Sequence, residues 1–259
     1  MGQITIAMLT HNALDYTRAC ISSVELHTTV PHTIVILDNG STDETPAWLA
    51  EQTAPHVHVL LGQTNVGVPR GRNILLIRIL PTLRDDGYVV FLDNDTEVEA
   101  GWSAPFLDLF SRHPEIGIAG AMGHEIVVHP DRRELMPSPR GLPAPVDVVS
   151  GFCFWIRGTC ARSVGYFDES LGTFWHEDDD YCIRARMLGY KVFMVPGAQL
   201  LHHAHKSGVA EAGIPLGGSP ENQRYLVDKW RMMGAVDEHG RIRSGSLDHG
   251  HRTMKSSDR

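Results

Sequence analysis

The chain carries 259 residues, 42% hydrophobic, 21% charged and 7% aromatic, which excludes disorder, collagen and coiled coil and leaves one large domain or two small ones. Twenty-three Lys and Arg against 31 Asp and Glu give a formal net charge of −8 with no densely basic stretch, which argues against general nucleic-acid binding.

From the N-terminus, short apolar runs at 4–9, 33–37, 56–61 and 88–92 predict strands. They are rich in Val and Ile and nearly continuous in hydrophobicity, as in a parallel sheet buried on both faces. Between them, 14–26, 44–51 and 70–80 predict helices, with Ser41-Thr42-Asp43-Glu44 offering N-cap residues to the second. Such repeated β-α-β units build a doubly wound, mostly parallel α/β sheet. From residue 115 the pattern shifts to Gly, Pro and short strands at 116–121, 125–129 and 146–156, with the Pro-rich stretch 130–145 reading as a mobile loop. A helix at 178–188, a strand at 191–195 and the cluster His202-His203-Ala204-His205 follow. After Gly234 large apolar residues nearly vanish, so 235–259 reads as a frayed or disordered tail. The chain thus divides into a Rossmann-like half, 1–114, a smaller α/β half of the same domain, 115–234, and the tail.

Cys20, Cys153, Cys160 and Cys182 form no CxxC pair, which argues against a disulfide framework. The start is too short and too uncharged for a signal peptide, and no run of about 18 apolar residues occurs to cross a membrane. The expected location is the cytoplasm, compatible with peripheral association at the inner face of the membrane.

In doubly wound sheets ligands bind where strands end at their carboxyl side. Here the first strand ends in Thr10-His11-Asn12, the second in Asp38-Asn39-Gly40-Ser41 and the fourth in Asp93-Asn94-Asp95. A lone D-x-D is more often a solvated turn. Three polar strand ends on one rim favour a site, and paired carboxylates suit Mg²⁺ or Mn²⁺ with phosphate oxygens completing the shell. Asn65-Val66-Gly67 and Arg70-Gly71-Arg72-Asn73 add glycine flexibility and Arg for a phosphate. Trp175-His176-Glu177-Asp178-Asp179-Asp180 opens a helix with four acids; capping accounts for at least two of them. Phe174 and Trp175 offer an aromatic wall for a sugar, or core packing. A histidine from 202–205 added to two carboxylates favours Mn²⁺ over Mg²⁺.

The ordered set resembles the family 2 glycosyltransferases of the GT-A fold. It comprises Thr10-His11-Asn12, Asp38 to Asp43, Asn65-x-Gly67 with Arg70-Gly71-x-Asn73, Asp93-x-Asp95, Gly165-x-Phe167-Asp168-Glu169, Glu177-Asp178-x-Asp180, Arg184, Gly189, and His202 with Ser207. The resemblance implies an inverting, metal-dependent transferase taking a sugar from a nucleotide donor, UDP first and dTDP next, to a glycan, lipid-linked or small-molecule acceptor. It implies that Thr10, Asn12 and Asp38 contact the nucleoside, that Asn65, Gly67, Arg70, Asn73 and Asn94 lie on the donor side, and that Asp93 serves ribose or metal. Asp95 and His202 would hold Mn²⁺ or Mg²⁺, Asp178 would be the base, and Trp175 and Glu177 would face the acceptor. The family often has a different residue between Thr10 and Asn12, which leaves the role of His11 open. The alternatives are a nucleotidyltransferase, for which a glycine-rich phosphate loop followed by Lys is missing, and a non-catalytic carbohydrate-binding subunit.

Overall fold

A computed structural model describes residues 2–138, 141–204 and 219–243. His205, Ser207 and 244–259 lie outside the described residues. In chain order the elements are β1 (Ile4–Thr10), α1 (Leu14–His27), β2 (His32–Asp38), α2 (Thr45–Ala50), β3 (Val57–Leu61), α3 (Val68–Ile79), β4 (Tyr88–Leu92), β5 (Thr96–Val98), α4 (Ala104–Arg112) and β6 (Ile116–Gly120). There follow β7 (Gly123–His124), β8 (Ile126–Val128), β9 (Arg133–Leu135), β10 (Ala144–Pro145), β11 (Val148–Val149), β12 (Cys153–Arg157), α5 (Gly158–Val164), α6 (Glu177–Met187), β13 (Lys191–Met194), β14 (Leu200–His202) and α7 (Pro220–Met232).

Eight of these strands make one sheet in the order β10-β13-β6-β12-β4-β1-β2-β3. Strands β4, β1, β2 and β3 are mutually parallel, so their carboxyl ends share one rim. Strand β12 runs antiparallel between β4 and β6, and the loop entering it therefore reaches the same rim. It is this strand that joins the two halves of the chain into one sheet.

Both faces are buried, and alternation within each strand sorts the side chains. Ile4, Ile6, Met8, Ile34, Ile36, Val90, Leu92 and Trp155 pack on one face with α1 and α4 residues such as Val24 and Phe106. Ala7, Val35, Leu37, Val89, Phe91, Phe154 and Ile156 pack on the other with Leu75, Leu76 and Ile79 of α3. The Trp155 ring stacks on Phe106 with centroids 4.9 Å apart, and Trp102 beside it donates its indole N–H to Thr28 Oγ1 at 3.1 Å.

The second half departs from the expected elements. The stretch 146–156 is two strands broken at Ser150-Gly151-Phe152: β11 pairs back on β7, and only β12 enters the main sheet. The Pro-rich 130–145 supplies β9, which pairs with β8, and β10, which pairs with β13. Pro disfavours the interior of a sheet, not an edge, and β10 lies on the edge. Helices α4, α5 and α7 form where the sequence pattern predicts none. The described start of the expected tail is folded: Ala235 is buried, Val236 bridges Ile242, and Arg241 bridges Val127.

Candidate active site

The rim of β1, β2 and β4 and the loops entering β12 and α6 enclose a cleft of about 570 Å³. As β4 ends, the Asp93 N–H donates to Phe152 O at 3.0 Å and Thr96 N–H donates to Asp93 O at 3.0 Å, forming a tight turn. Asn94 is buried and donates to Thr10 Oγ1 at 3.2 Å and Thr17 Oγ1 at 3.0 Å, so it bolts the turn to β1 and α1 while bordering the cleft. Strand β14 pairs with β5 and sets His202 opposite Thr96. There the His202 ring stacks on Phe152, centroids 4.3 Å apart, with Nε2 3.3 Å from Asp95 Oδ1.

One ligand atom from each of Asp93, Asp95 and His202 thus lies within 4.8 Å of the others. Two hard carboxylates and one imidazole fit a divalent cation of the Mn²⁺ type. Burial raises the Asp93 carboxyl above its ordinary range, against the Arg72 charge and with Asp95 adding to the rise. Burial disfavours charge on His202, but the Asp95 hydrogen bond and the Asp93 charge outweigh it and raise the imidazole. His203 faces elsewhere: its Nε2 lies 2.6 Å from Glu97 Oε1 and its ring packs on Tyr16.

Several residues expected on the donor side build the rim without lining the cleft. Asn12 Oδ1 accepts from Thr42 N–H at 2.8 Å, and Asp38 accepts from the Ser41 backbone N–H and hydroxyl, so both hold the loop after β2 against the end of β1. Thr10, His11 and Asn65 do line the cleft, as does Asn39 of the strand end 38–41. Asn39 accepts from Val66 N–H and donates to Asn65 Oδ1, both at 3.0 Å, fixing the approach to α3. Gly67, at φ 83°, begins that helix where a Cβ would meet Thr173 Cα at 3.0 Å. Two pairs of non-glycine residues flank the cleft in the left-handed region, Asn12 and Ala13 before α1 and Trp175 and His176 before α6. Each such residue costs on the order of 1–3 kcal/mol and persists only where its surroundings dictate it.

Helix α3 decides which polar residues reach the site. Its buried face is Pro69, Arg72, Asn73, Leu75, Leu76 and Ile79, the spacing of an amphipathic helix. Arg70 falls outside that face, is exposed, and does not line the cleft, contrary to expectation. Asn73 is buried but faces away: it donates to Phe167 O at 3.0 Å and Glu169 Oε1 at 2.9 Å and accepts from Phe167 N–H at 2.7 Å. Arg72 occupies the site instead, 4% exposed, its guanidinium 5.3 Å from the Phe91 ring centroid and 5.5 Å from that of Phe167. It reaches Glu177 Oε1 at 3.2 Å and Asp93 Oδ1 at 3.5 Å.

The four acids of α6 disperse. Glu177 pairs with Arg72, and burial first, then the Asp178 charge, raise its carboxyl to about 7 despite that partner. Asp178 lines the cleft with Oδ2 accepting from Gly151 N–H at 2.8 Å and Oδ1 from Asp179 N–H at 2.9 Å; burial and then the neighbouring Asp179 charge raise it. Burial works against the Asp179 carboxylate as well, but Arg133 at 2.5 Å and His176 at 3.3 Å hold it low. Asp180 is fully buried and turns away to Arg184 at 2.7 Å and Lys229 at 2.8 Å. Trp175 lines the cleft with Phe174, Met122 and Leu135. Arg133 and Gly151 carry no mark in the sequence; Arg72 and Asn39 stand there only as members of the segments 70–73 and 38–41, and the phase of Arg72 with Leu75, Leu76 and Ile79 is the signal that singles it out.

The glycosyl transferase family 2 profile matches residues 5–154, from β1 into β12. The N-acetylglucosaminyl-diphospho-decaprenol L-rhamnosyltransferases of two Mycobacterium tuberculosis strains, CDC 1551 / Oshkosh and H37Rv, are 26% identical over 272 residues, covering 88% of this chain and 86% of theirs. Among solved structures, GalNAc-T7 with UDP, GalNAc and Mn²⁺ superposes at TM-score 0.68 and 16% identity over 89% of this chain and 48% of that one. S. aureus TarS 1-349 superposes at TM-score 0.59 and 17% identity over 76% of this chain and 59% of that one. This chain thus spans about half the length of those two structures, and the shared fold is GT-A.

Proposed function

This chain belongs to glycosyl transferase family 2, and from that premise we propose that it is a metal-dependent, inverting enzyme using a nucleoside diphosphate sugar. The observation that carries the reading is the placement of Asp93, Asp95 and His202 in the same cleft as Asp178. Asp95, Asp93 and His202 would hold the cation, Mn²⁺ before Mg²⁺, and when bound it would neutralise charge developing on the leaving diphosphate. Thr10, His11, Asn39 and Asn65 present hydroxyl, imidazole and amide groups to the nucleoside, UDP first and dTDP next. Asp178 takes the proton of the acceptor hydroxyl as its oxygen bonds to the anomeric carbon and the carbon–oxygen bond to diphosphate breaks, a single displacement that inverts configuration. Backbone N–H groups fix both carboxylate oxygens, so this base is oriented before substrate arrives.

On the acceptor side, Met122, Leu135, Phe174 and Trp175 make an apolar wall beside Glu177. That wall and the lipid-diphosphate named for the mycobacterial relatives support a lipid-linked acceptor, reached by association with the membrane surface. No helix among the described residues is long and apolar enough to cross a membrane.

The test offers UDP- and dTDP-sugars with a short-chain lipid diphosphate acceptor, in Mn²⁺ and after chelation. Metal-restored transfer with inverted anomeric configuration by NMR is expected. Full activity in chelator refutes the metal, and a retained configuration refutes the single displacement. Failure to release nucleotide from any donor would return the chain to the non-catalytic alternative.

A further inference from the structure

At the opposite end of the sheet three side chains converge with no part in the chemistry above. Glu25 lies in the last turns of α1, His32 opens β2, and His56 precedes β3; one ligand atom from each lies within 4.8 Å of the others. Since β2 runs seven residues from His32 to Asp38, the cluster sits roughly 20 Å from the catalytic rim at about 3.3 Å per residue.

The tautomer of His32 is set by its partner. Its Nδ1 is 2.9 Å from Val30 O, which can only accept, so the proton is on Nδ1 and the Nε2 lone pair is available. That Nε2 is buried with no hydrogen-bond partner among the described residues. A backbone carbonyl orienting the far nitrogen of an imidazole is the usual support of a metal-binding histidine. His56 stands edge-on to it, ring centroids 5.5 Å apart, and its Nε2 is 2.8 Å from Glu25 Oε1.

We propose that Glu25, His32 and His56 form a second metal site, specific for a Zn²⁺-type ion, that clasps α1 to the first residues of β2 and to the loop entering β3. Two imidazoles and one carboxylate with an open fourth position match zinc and disfavour Mg²⁺, whereas the catalytic set reverses that proportion of nitrogen to oxygen. Tetrahedral ligands at about 2.0–2.1 Å stand about 3.4 Å apart. The His56–Glu25 contact therefore opens by about half an ångström as the ion displaces the proton between them, and His32 closes in. A His56–Glu25 ion pair alone would account for two of the three side chains and would leave the His32 nitrogen buried without purpose. Glu25 and His56 are 38% and 37% exposed, so an ion can enter from solvent.

The experiment is Zn²⁺ titration of the untagged full chain by calorimetry with Mn²⁺ saturating, repeated for Glu25→Gln, His32→Gln, His56→Gln and, as the control at the other site, His202→Ala. One equivalent of Zn²⁺ resistant to Mn²⁺ is expected, raising the melting temperature by roughly 5 °C or more at saturation. The three cluster variants should each lose it or weaken it at least ~10-fold, while His202→Ala keeps it. Co²⁺ in the same site should show the intense visible bands of tetrahedral coordination. Unchanged stoichiometry in His32→Gln and His56→Gln, or loss in His202→Ala alone, overturns the assignment. Should His32→Gln fail to fold, Glu25→Gln and His56→Gln, both changed at exposed side chains, decide the matter by the same titration.

Discussion

Two groups of acids face each other across the cleft and are organised in opposite ways. At the end of β4, Asp93 and Asp95 point to the same side of the turn and converge with His202. At the start of α6, Glu177, Asp178, Asp179 and Asp180 project about 100° apart per residue, and each finds a different partner: Arg72, the Gly151 N–H, Arg133 and the Lys229–Arg184 pair. A tight turn closed by Thr96 N–H on Asp93 O brings two carboxylates together and concentrates negative charge, as an ion requires. Helical twist disperses it, so that one carboxylate can be tuned while its neighbours are neutralised. The same residue type thus converges or disperses according to whether a turn or a helix carries it.

The comparison breaks most sharply at Asp95. Asp95→Ala should remove Mn²⁺-dependent donor binding, a fall of roughly 10³-fold for a contribution of several kcal/mol; calorimetry with and without Mn²⁺ reads it, and equal affinities sink the convergent half of the picture. Asp178→Asn should leave donor affinity in place and lower single-turnover transfer by about 10²- to 10⁴-fold. Because burial and the Asp179 charge raise Asp178, the acid limb of its kcat/KM profile should lie above the ordinary carboxylate value near 4: activity rises with pH as the base loses its proton. An acid limb below that value assigns the base elsewhere. If Asp179→Asn collapses transfer instead, the base has moved one residue along the helix.

Arg72 bridges the two groups. Arg72→Met should cost about 3–5 kcal/mol in urea unfolding by leaving buried Glu177 without its cation, and adding Glu177→Gln should recover much of that loss. The smallest expected effect sharpens the contrast from outside: Arg70→Ala, two positions away on the exposed side of α3, should stay within about 0.5 kcal/mol of the parent with kcat/KM unchanged.

The first half of the fold was legible because parallel strands buried on both faces leave unbroken apolar runs, as in residues 88–92. Strand β12 was not separable from β11, since the break at Ser150-Gly151-Phe152 is made by pairing with distant partners. At the site, the strand-end acids could be read because strand and turn are local. Arg70 lies off the buried face by helix phase, which the pattern of Leu75, Leu76 and Ile79 already contains; Asn73 lies on that face and is turned from the cleft by its bonds to the distant Phe167 and Glu169. Arg133 left no trace in sequence: it reaches Asp179 only because β9 folds back on β8 from a stretch that reads as loop.

Gly151 carries a consequence for how the sequence can vary. Its N–H serves Asp178 and its carbonyl accepts from Arg72 at 3.2 Å, while a Cβ there would stand 2.6 Å from the guanidinium. Gly101 and Gly197 adopt positive φ but have open space where a side chain would go. In a library randomised at all three positions and selected for transfer, Asn should enrich at 101 and 197, since it tolerates that backbone best after glycine. Position 151 should favour glycine: its backbone serves both sides of the cleft, and a methyl group there must push aside the Arg72 guanidinium that its carbonyl and Glu177 hold.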